Sequence, residues 1–140
     1  MATDPAVGDV LIVAIGGRLW GLPSAGVREL LRAVEITPAA GLPRVEGVID
    51  VRGELVPVLD IRGRLGLPPK RVEPSDCLVL VDRGGSAALR VDGVVELIPG
   101  PGVWRSEGPG GVAGLLTAGD GALVALLDLD KLLGVEAGGR

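Results

Sequence analysis

Few side chains in this sequence could do covalent or metal chemistry. There is no His, Tyr or Phe, and Cys77 is the single cysteine. Without His and with one strand-embedded thiol, nucleophile–base pairs of the usual kind cannot be assembled. A lone Cys also rules out an internal disulfide framework and a multi-Cys metal site. At the head of the apolar run CLVLVD (77–82) it reads as a reduced, buried packing thiol, which fits the cytosol. Carboxylate pairs invite general acid–base catalysis, and Asp60 and Asp128 stand at matching places in VLDIRGRLG (58–66) and LLDLDKLLG (126–134). Their recurrence ahead of two short helical segments makes each the N-cap of its own helix, a role worth about 1 kcal/mol. Asp128 and Asp130 have no His, Cys or Gly-turned ligand loop beside them, so neither a metal nor a cofactor is expected.

Recognition chemistry is what remains. Residues 47–60, GVIDVRGELVPVLD, set two strand-like stretches around Arg52-Gly53-Glu54. A planar guanidinium at a hairpin tip can clamp a carboxylate or a helix-end carbonyl on a partner. The plainer reading of Arg52 is a solvated turn residue. Gly53 supplies a positive φ. In GVREL (26–30), Val27, Glu29 and Leu30 either line a groove or divide into two core residues and a solvated charge. Trp104, inside PGPGVWRSEGPGG (99–111), is either an exposed anchor or folded back onto the core.

These candidates must be positioned by strands. The chain has 140 residues, and 47% of them are hydrophobic, enough for one compact domain or two very small ones. The 24 Gly and 11 Pro among apolar runs predict short strands and tight turns. VLIVAI (10–15) and RLWGL (18–22) form a hairpin about Gly16-Gly17. A turn or helix over 24–30, N-capped by Ser24, leads to LRAVEI (31–36), and 37–46 reads as loop. The 47–60 hairpin and helix 61–65 follow, and LPPKRVEPS (67–75) is too Pro-rich for a core element. Strands then recur over 77–82, 86–91, 94–98, 113–118 and 122–128, with a last helix closing at Gly134: about ten strands and little helix.

The chain repeats itself. VLIVAIGGRLWGL matches CLVLVDRGGSAAL, GVREL matches GVVEL (93–97), and VLDIRGRLG matches LLDLDKLLG, at offsets of 67 to 68 residues. Each half is then about five strands and one short helix. A sheet that small curls and closes. Two such units are too small to be stable alone and should pack together. The expectation is an all-β domain over 8–134, with barrel 1 at about 10–66, barrel 2 at about 76–134, a short tail over 135–140, and an apolar seam and groove between the barrels.

GVIDVRGELVPVLDIRGRLG resembles the central motif of CheW-like domains, the coupling proteins of bacterial chemosensory arrays. IGGRLWGLP, GVREL, RVDGVVEL and GLLTAGDGALVALLDLDKLL agree with it, so the resemblance covers roughly 10–134. It implies two SH3-like five-stranded barrels packed side by side with short helices. It implies a non-enzymatic adaptor joining the cytoplasmic tip of a chemoreceptor to the regulatory domain of a CheA-type histidine kinase, in the cytoplasm at receptor arrays near the inner membrane. Receptor-binding residues carried over are Arg52, Val27, Glu29, Leu30, Val48 and Ile49, with Val56 and Val58 on the same hairpin. No kinase-binding residues can be carried over. Trp20 takes the place of the usual aromatic, Asp50 replaces a usual Asn, and the 99–111 loop is shorter and richer in Gly and Pro than is typical. An accessory adaptor that binds receptors without recruiting the kinase is therefore the alternative. An enzyme has no residue spacing in its favour. A nucleic-acid binder would need a basic stripe and stacking aromatics, whereas this chain carries a formal charge of −4 and two Trp as its only aromatic residues. No apolar run nears the roughly 20 residues of a membrane helix, and MATDPAVGD lacks the basic and apolar regions of a signal peptide.

Overall fold

The runs VLIVAI and CLVLVD are apolar at every position but the last of the second, where a half-buried strand would alternate. The reason is that both strands are covered on two faces. In β1 (Val10–Ile15), Val10 and Ile12 point into one hydrophobic cluster, while Leu11, Val13 and Ile15 point into another. In β7 (Cys77–Asp82), Leu78 and Leu80 enter a third cluster, while Val79 and Val81 join the one that Leu11 and Val13 enter. The shared cluster is the seam between two barrels, and the other two are the barrel interiors.

This computed structural model describes residues 8–32, 36–39, 41, 44–82, 84–105 and 111–133. The hairpin β1–β2 (Arg18–Pro23) turns at Gly16-Gly17, both at positive φ. A 3-10 turn, Ser24–Gly26, leads to β3 (Val27–Arg32). The strands β4 (Thr37–Pro38), β5 (Val45–Val51) and β6 (Glu54–Leu59) precede α1 (Ile61–Arg64). After β7 come β8 (Ser86–Val91), β9 (Gly93–Ile98), β10 (Trp104–Arg105), β11 (Val112–Thr117), β12 (Leu123–Leu127) and α2 (Leu129–Leu133). No helix among the described residues is long and apolar enough to cross a membrane.

Two mixed sheets result, in the orders β10-β11-β12-β2-β1-β9 and β4-β5-β6-β8-β7-β3. Each has five full strands and one of two residues, curled into an SH3-like barrel. The orders superimpose element by element, so the sequence repeat is a structural one. The antiparallel pair β1·β9 mirrors β7·β3, and the parallel pair β12·β2 mirrors β6·β8.

The contiguous partition into 10–66 and 76–134 does not hold. Each half contributes its first hairpin to the other half's barrel: one barrel contains β1, β2 and β9 to β12, the other β3 to β8. The repeat specifies which elements exist and their register, but a β1-type edge accepts either copy of a β3-type strand. After β2 the chain has only the three residues 24–26 before β3, and it leaves the sheet there instead of folding back onto it.

Several local expectations change. Residues 27–30 already belong to strand β3 and not to a turn or helix, and Ser24 makes no side-chain cap; its backbone N–H donates to Asp9 O at 2.9 Å. Strand β5 begins inside the expected loop, at Val45. Cys77 is half-buried against the seam rather than fully enclosed. Trp104 sits in the short strand β10, with its backbone paired to Leu115. Residues 106–110 of the 99–111 loop, Gly134 and the 135–140 tail lie outside the described residues. Both caps are as expected: Asp60 Oδ1 accepts from Gly63 N at 3.0 Å and Asp128 Oδ1 from Lys131 N at 3.2 Å.

Candidate functional site

The hairpin β5–β6 closes with Val51 paired to Glu54 and two residues, Arg52 and Gly53, at φ 50 and 90. That is a tight two-residue turn whose first position usually falls to Asn, Asp or Gly. An Arg there is uncommon. Asp50 Oδ1 accepts from Gly53 N at 2.7 Å and braces the turn.

The strained turn aims the guanidinium sideways at β3. Arg52 Nη2 bonds Glu29 Oε1, and Nη1 reaches Glu29 Oε2 at 3.4 Å. Arg28, displaced by a bulge between Val27 and Glu29, donates to Ser86 Oγ at 2.7 Å and lies 3.6 Å from Glu54 Oε1. In the sheet order β3 is one edge and β5 lies near the other. The Arg52–Glu29 pair therefore joins the edge strand β3 to the β5–β6 turn, between which no strand ladder runs among the described residues. Hydrogen bonding from Arg52 holds the Glu29 carboxyl below its ordinary pKa, and Glu29 raises that of Arg52 in return. Beside the bridge is a shallow cavity of about 260 Å³ lined by Leu31, Arg32, Ile49, Asp50, Val51 and Arg52.

The expected site residues take different places. Arg52 and Glu29 meet. Leu30, next to Glu29, is 46% exposed although large and apolar. Val27 is half-buried against the seam cluster, so it supports the rim from below. Val48 is half-buried between Pro57 and Thr37 in the ladder. Ile49 is only 3% exposed and belongs to the barrel interior. It reaches the outside only as part of the cavity lining, and the buried Val56 and Val58 do not line that cavity.

Three features escaped sequence reading. Arg28 joins the charged rim through its bulge, for which the sequence carries no signal. Leu55 is exposed beside the turn. On β9, the edge strand of the other barrel, Val94, Val95 and Leu97 are exposed. Leu97 is the repeat equivalent of Leu30 and is 53% exposed. The GVREL/GVVEL match was the available clue: the recurring pattern specifies an apolar edge in both halves, and not core.

The repeat also shows what is not shared. The turn equivalent to Arg52-Gly53 is Asp120-Gly121, where Asp120 Oδ1 accepts from Ala122 N at 3.0 Å and stays within its own hairpin. Among the described residues, one barrel carries an Arg–Glu bridge at this turn and its repeat does not. A fold requirement would recur in both, so the asymmetry marks this rim as the candidate docking site.

Residues 9–137 match the family model described as a CheW-like domain. The chain is 25% identical over 138 residues to a chemotaxis protein CheW of Klebsiella aerogenes, covering 91% of this chain and 82% of that one. It is 32% identical over 131 residues to protein FrzA of Myxococcus xanthus, covering 85% and 81%. With a chemotaxis protein CheW of Treponema pallidum the identity is 26% over 93 residues, 66% of this chain but only about half, 52%, of that protein. The crystal structure of the scaffolding protein TtCheW from Thermoanaerobacter tengcongensis superimposes with a TM-score of 0.79 at 25% identity, covering 98% of this chain and 93% of that chain.

Proposed function

The chain belongs to the CheW-like domain family of chemotaxis adaptors and scaffolds, and on that premise we propose that it joins the cytoplasmic tip of a chemoreceptor to the regulatory domain of a CheA-type histidine kinase, without catalysis of its own. The observation that carries this reading is the Arg52–Glu29 bridge on β3, whose other face exposes Leu30; among the described residues the repeat of this turn carries no such bridge.

A helical receptor tip supplies what such a rim accepts. Apolar side chains at helical spacing cover Leu30, and the rim's exposed Arg52, 66% accessible at its side chain, meets a carboxylate or the carbonyls of a helix C-terminus. A protein surface suits the site, which offers a charged rim, an apolar edge and a shallow cavity. Modest affinity at each contact is compatible with scaffolding, because repeated linkage in an array adds avidity. The corresponding location is the cytoplasm, at receptor arrays near the inner membrane.

Separate pull-downs with a receptor tip fragment and with a kinase regulatory domain test the reading. Capture of both supports coupling. Capture of the receptor fragment alone selects an accessory adaptor that leaves the kinase unrecruited, and capture of neither removes the proposal.

A further inference from the structure

The motif RVDGVVEL contributed nothing to the docking rim, yet its Asp92 is among the most heavily bonded side chains in the fold. Among the described residues the chain passes between the two barrels twice: over 24–26, from β2 to β3, and at Asp92, from β8 to β9. Asp92 is held from both sides. From the barrel containing β1, Ala14 O accepts from Asp92 N at 2.8 Å, and Gly16 N donates to Oδ2 at 2.9 Å. From the other barrel, Arg62 Nη2 donates to Oδ1 and Oδ2, both at 2.9 Å, and Lys70 Nζ to Oδ1 at 3.3 Å.

The donors are themselves fixed. Arg62, 7% exposed at its side chain, also donates to Pro68 O at 3.1 Å. Lys70 bonds Asp76 at 2.9 Å, Asp76 bonds Arg90 at 2.9 Å, and Arg90 reaches Glu46 at 2.9 Å and Lys70 O at 2.7 Å. The Pro-rich stretch 67–76, without helix or strand, is thereby strapped across the junction. Burial alone would push the Asp92 carboxyl up; Arg62, the Gly16 N–H and Lys70 outweigh it and hold it below its ordinary pKa. The repeat equivalent of Asp92 is Ala25, so the first crossing carries no such anchor.

The seam and the clamp do different physical jobs. Apolar burial between the barrels is non-directional. Charge-assisted hydrogen bonds are directional: Arg62 Nη2 bridges both Asp92 oxygens while its Nη1 is held on Pro68 O, an arrangement that tolerates little rotation. We infer that Asp92, gripped by Arg62 and Lys70, is the positioning residue that fixes the angle between the two barrels, and so the relative placement of the edge strands β3 and β9 offered to a partner. The second half rests on the adaptor reading; the first does not. A protein whose barrels sample several angles spends only part of its time in the docking-competent one, and its apparent affinity falls by that fraction.

Spin labels placed by Leu55→Cys and Leu123→Cys in a Cys77→Ser background report the distance between barrels; Val95→Cys with Leu123→Cys reports one barrel internally. Asp92→Ala broadens the inter-barrel distribution and leaves the internal one unchanged. An inter-barrel distribution identical to wild type overturns the inference. If Asp92→Ala fails to fold, Lys70→Met, on the partly exposed strap, is read the same way. In the partner arm, a receptor tip fragment binds Asp92→Ala roughly five- to tenfold more weakly than wild type. Unchanged binding with a broadened distribution overturns the link from angle to docking. A wild type that does not bind the fragment instead fails the adaptor reading, and the clamp is then judged on the distance arm alone.

Discussion

Arg52 and Glu29, 23 residues apart, join the β5–β6 turn to the edge strand β3, two elements with no strand ladder between them among the described residues. Both side chains remain partly accessible, 66% and 29%. Exposed ion pairs contribute little to stability, so breaking this one should cost the fold little. Arg52→Glu and Glu29→Arg singly should lower the thermal midpoint only slightly, through like-charge repulsion. The double variant, with the charges exchanged, should return it to the wild-type value. A large loss of stability in Arg52→Glu would show instead that the turn is needed for folding.

The interior network behaves in the opposite way. Asp76 is 1% exposed and faces both Lys70 and Arg90. Asp76→Ala leaves the Arg90 guanidinium buried with only part of its bonding. Breaking a buried pair in this manner costs about 3 kcal/mol. Urea unfolding should register that loss as a lower midpoint with an unchanged slope.

Acid should loosen the same network. Asp76 and Asp92 have folded-state pKa values below their unfolded ones: burial raises both, but Lys70, Arg90, Arg62 and backbone N–H groups outweigh it. Their contribution is complete above the unfolded value of about 3.9 and is lost as pH falls through the folded values. Glu46 opposes this, because burial, only partly offset by Arg90, raises its pKa. Its contribution is present at low pH and is lost as pH rises through that raised value. Urea unfolding from pH 3 to 6 should therefore show stability falling on the acid side. Asp92→Asn should flatten that limb and Glu46→Gln should steepen it.

Gly16 is required twice over. Its φ is +65, and a Cβ there would lie 2.9 Å from Leu67 Cδ1. The Leu67 side chain can shift, but the backbone angle remains unfavourable for Ala. Gly16→Ala should cost more than about 1 kcal/mol, whereas Gly17→Ala meets only the strain of φ +78 and no neighbour within 4 Å. Thermal unfolding of the two variants should rank Gly16→Ala as the less stable.

Much of this architecture is legible before any coordinates. Continuous apolar runs at 10–15 and 77–82 imply strands covered on both faces, and the caps at Asp60 and Asp128 follow from repeated local patterns. Local patterns cannot say which copy of a repeated strand a hairpin pairs with, because both copies offer the same register. Hence the exchange of hairpins between halves was invisible. Glu29 and Arg52 could be singled out one by one, but their meeting depends on barrel curvature and on a bulge at Arg28. The strap over 67–76 looked like a plain linker because its order comes from distant partners, Asp92 and Arg90. Ile49 shows the opposite error: it matches a docking motif and yet belongs to the barrel interior.

Titration calorimetry of a receptor tip fragment against wild type and Arg52→Glu tests the adaptor account most directly. The account predicts a saturable 1:1 isotherm for the wild type and at least a tenfold weaker one, about 1.4 kcal/mol, for a variant with unchanged folding. Equal isotherms for the two proteins, or no heat with the wild type, would contradict it.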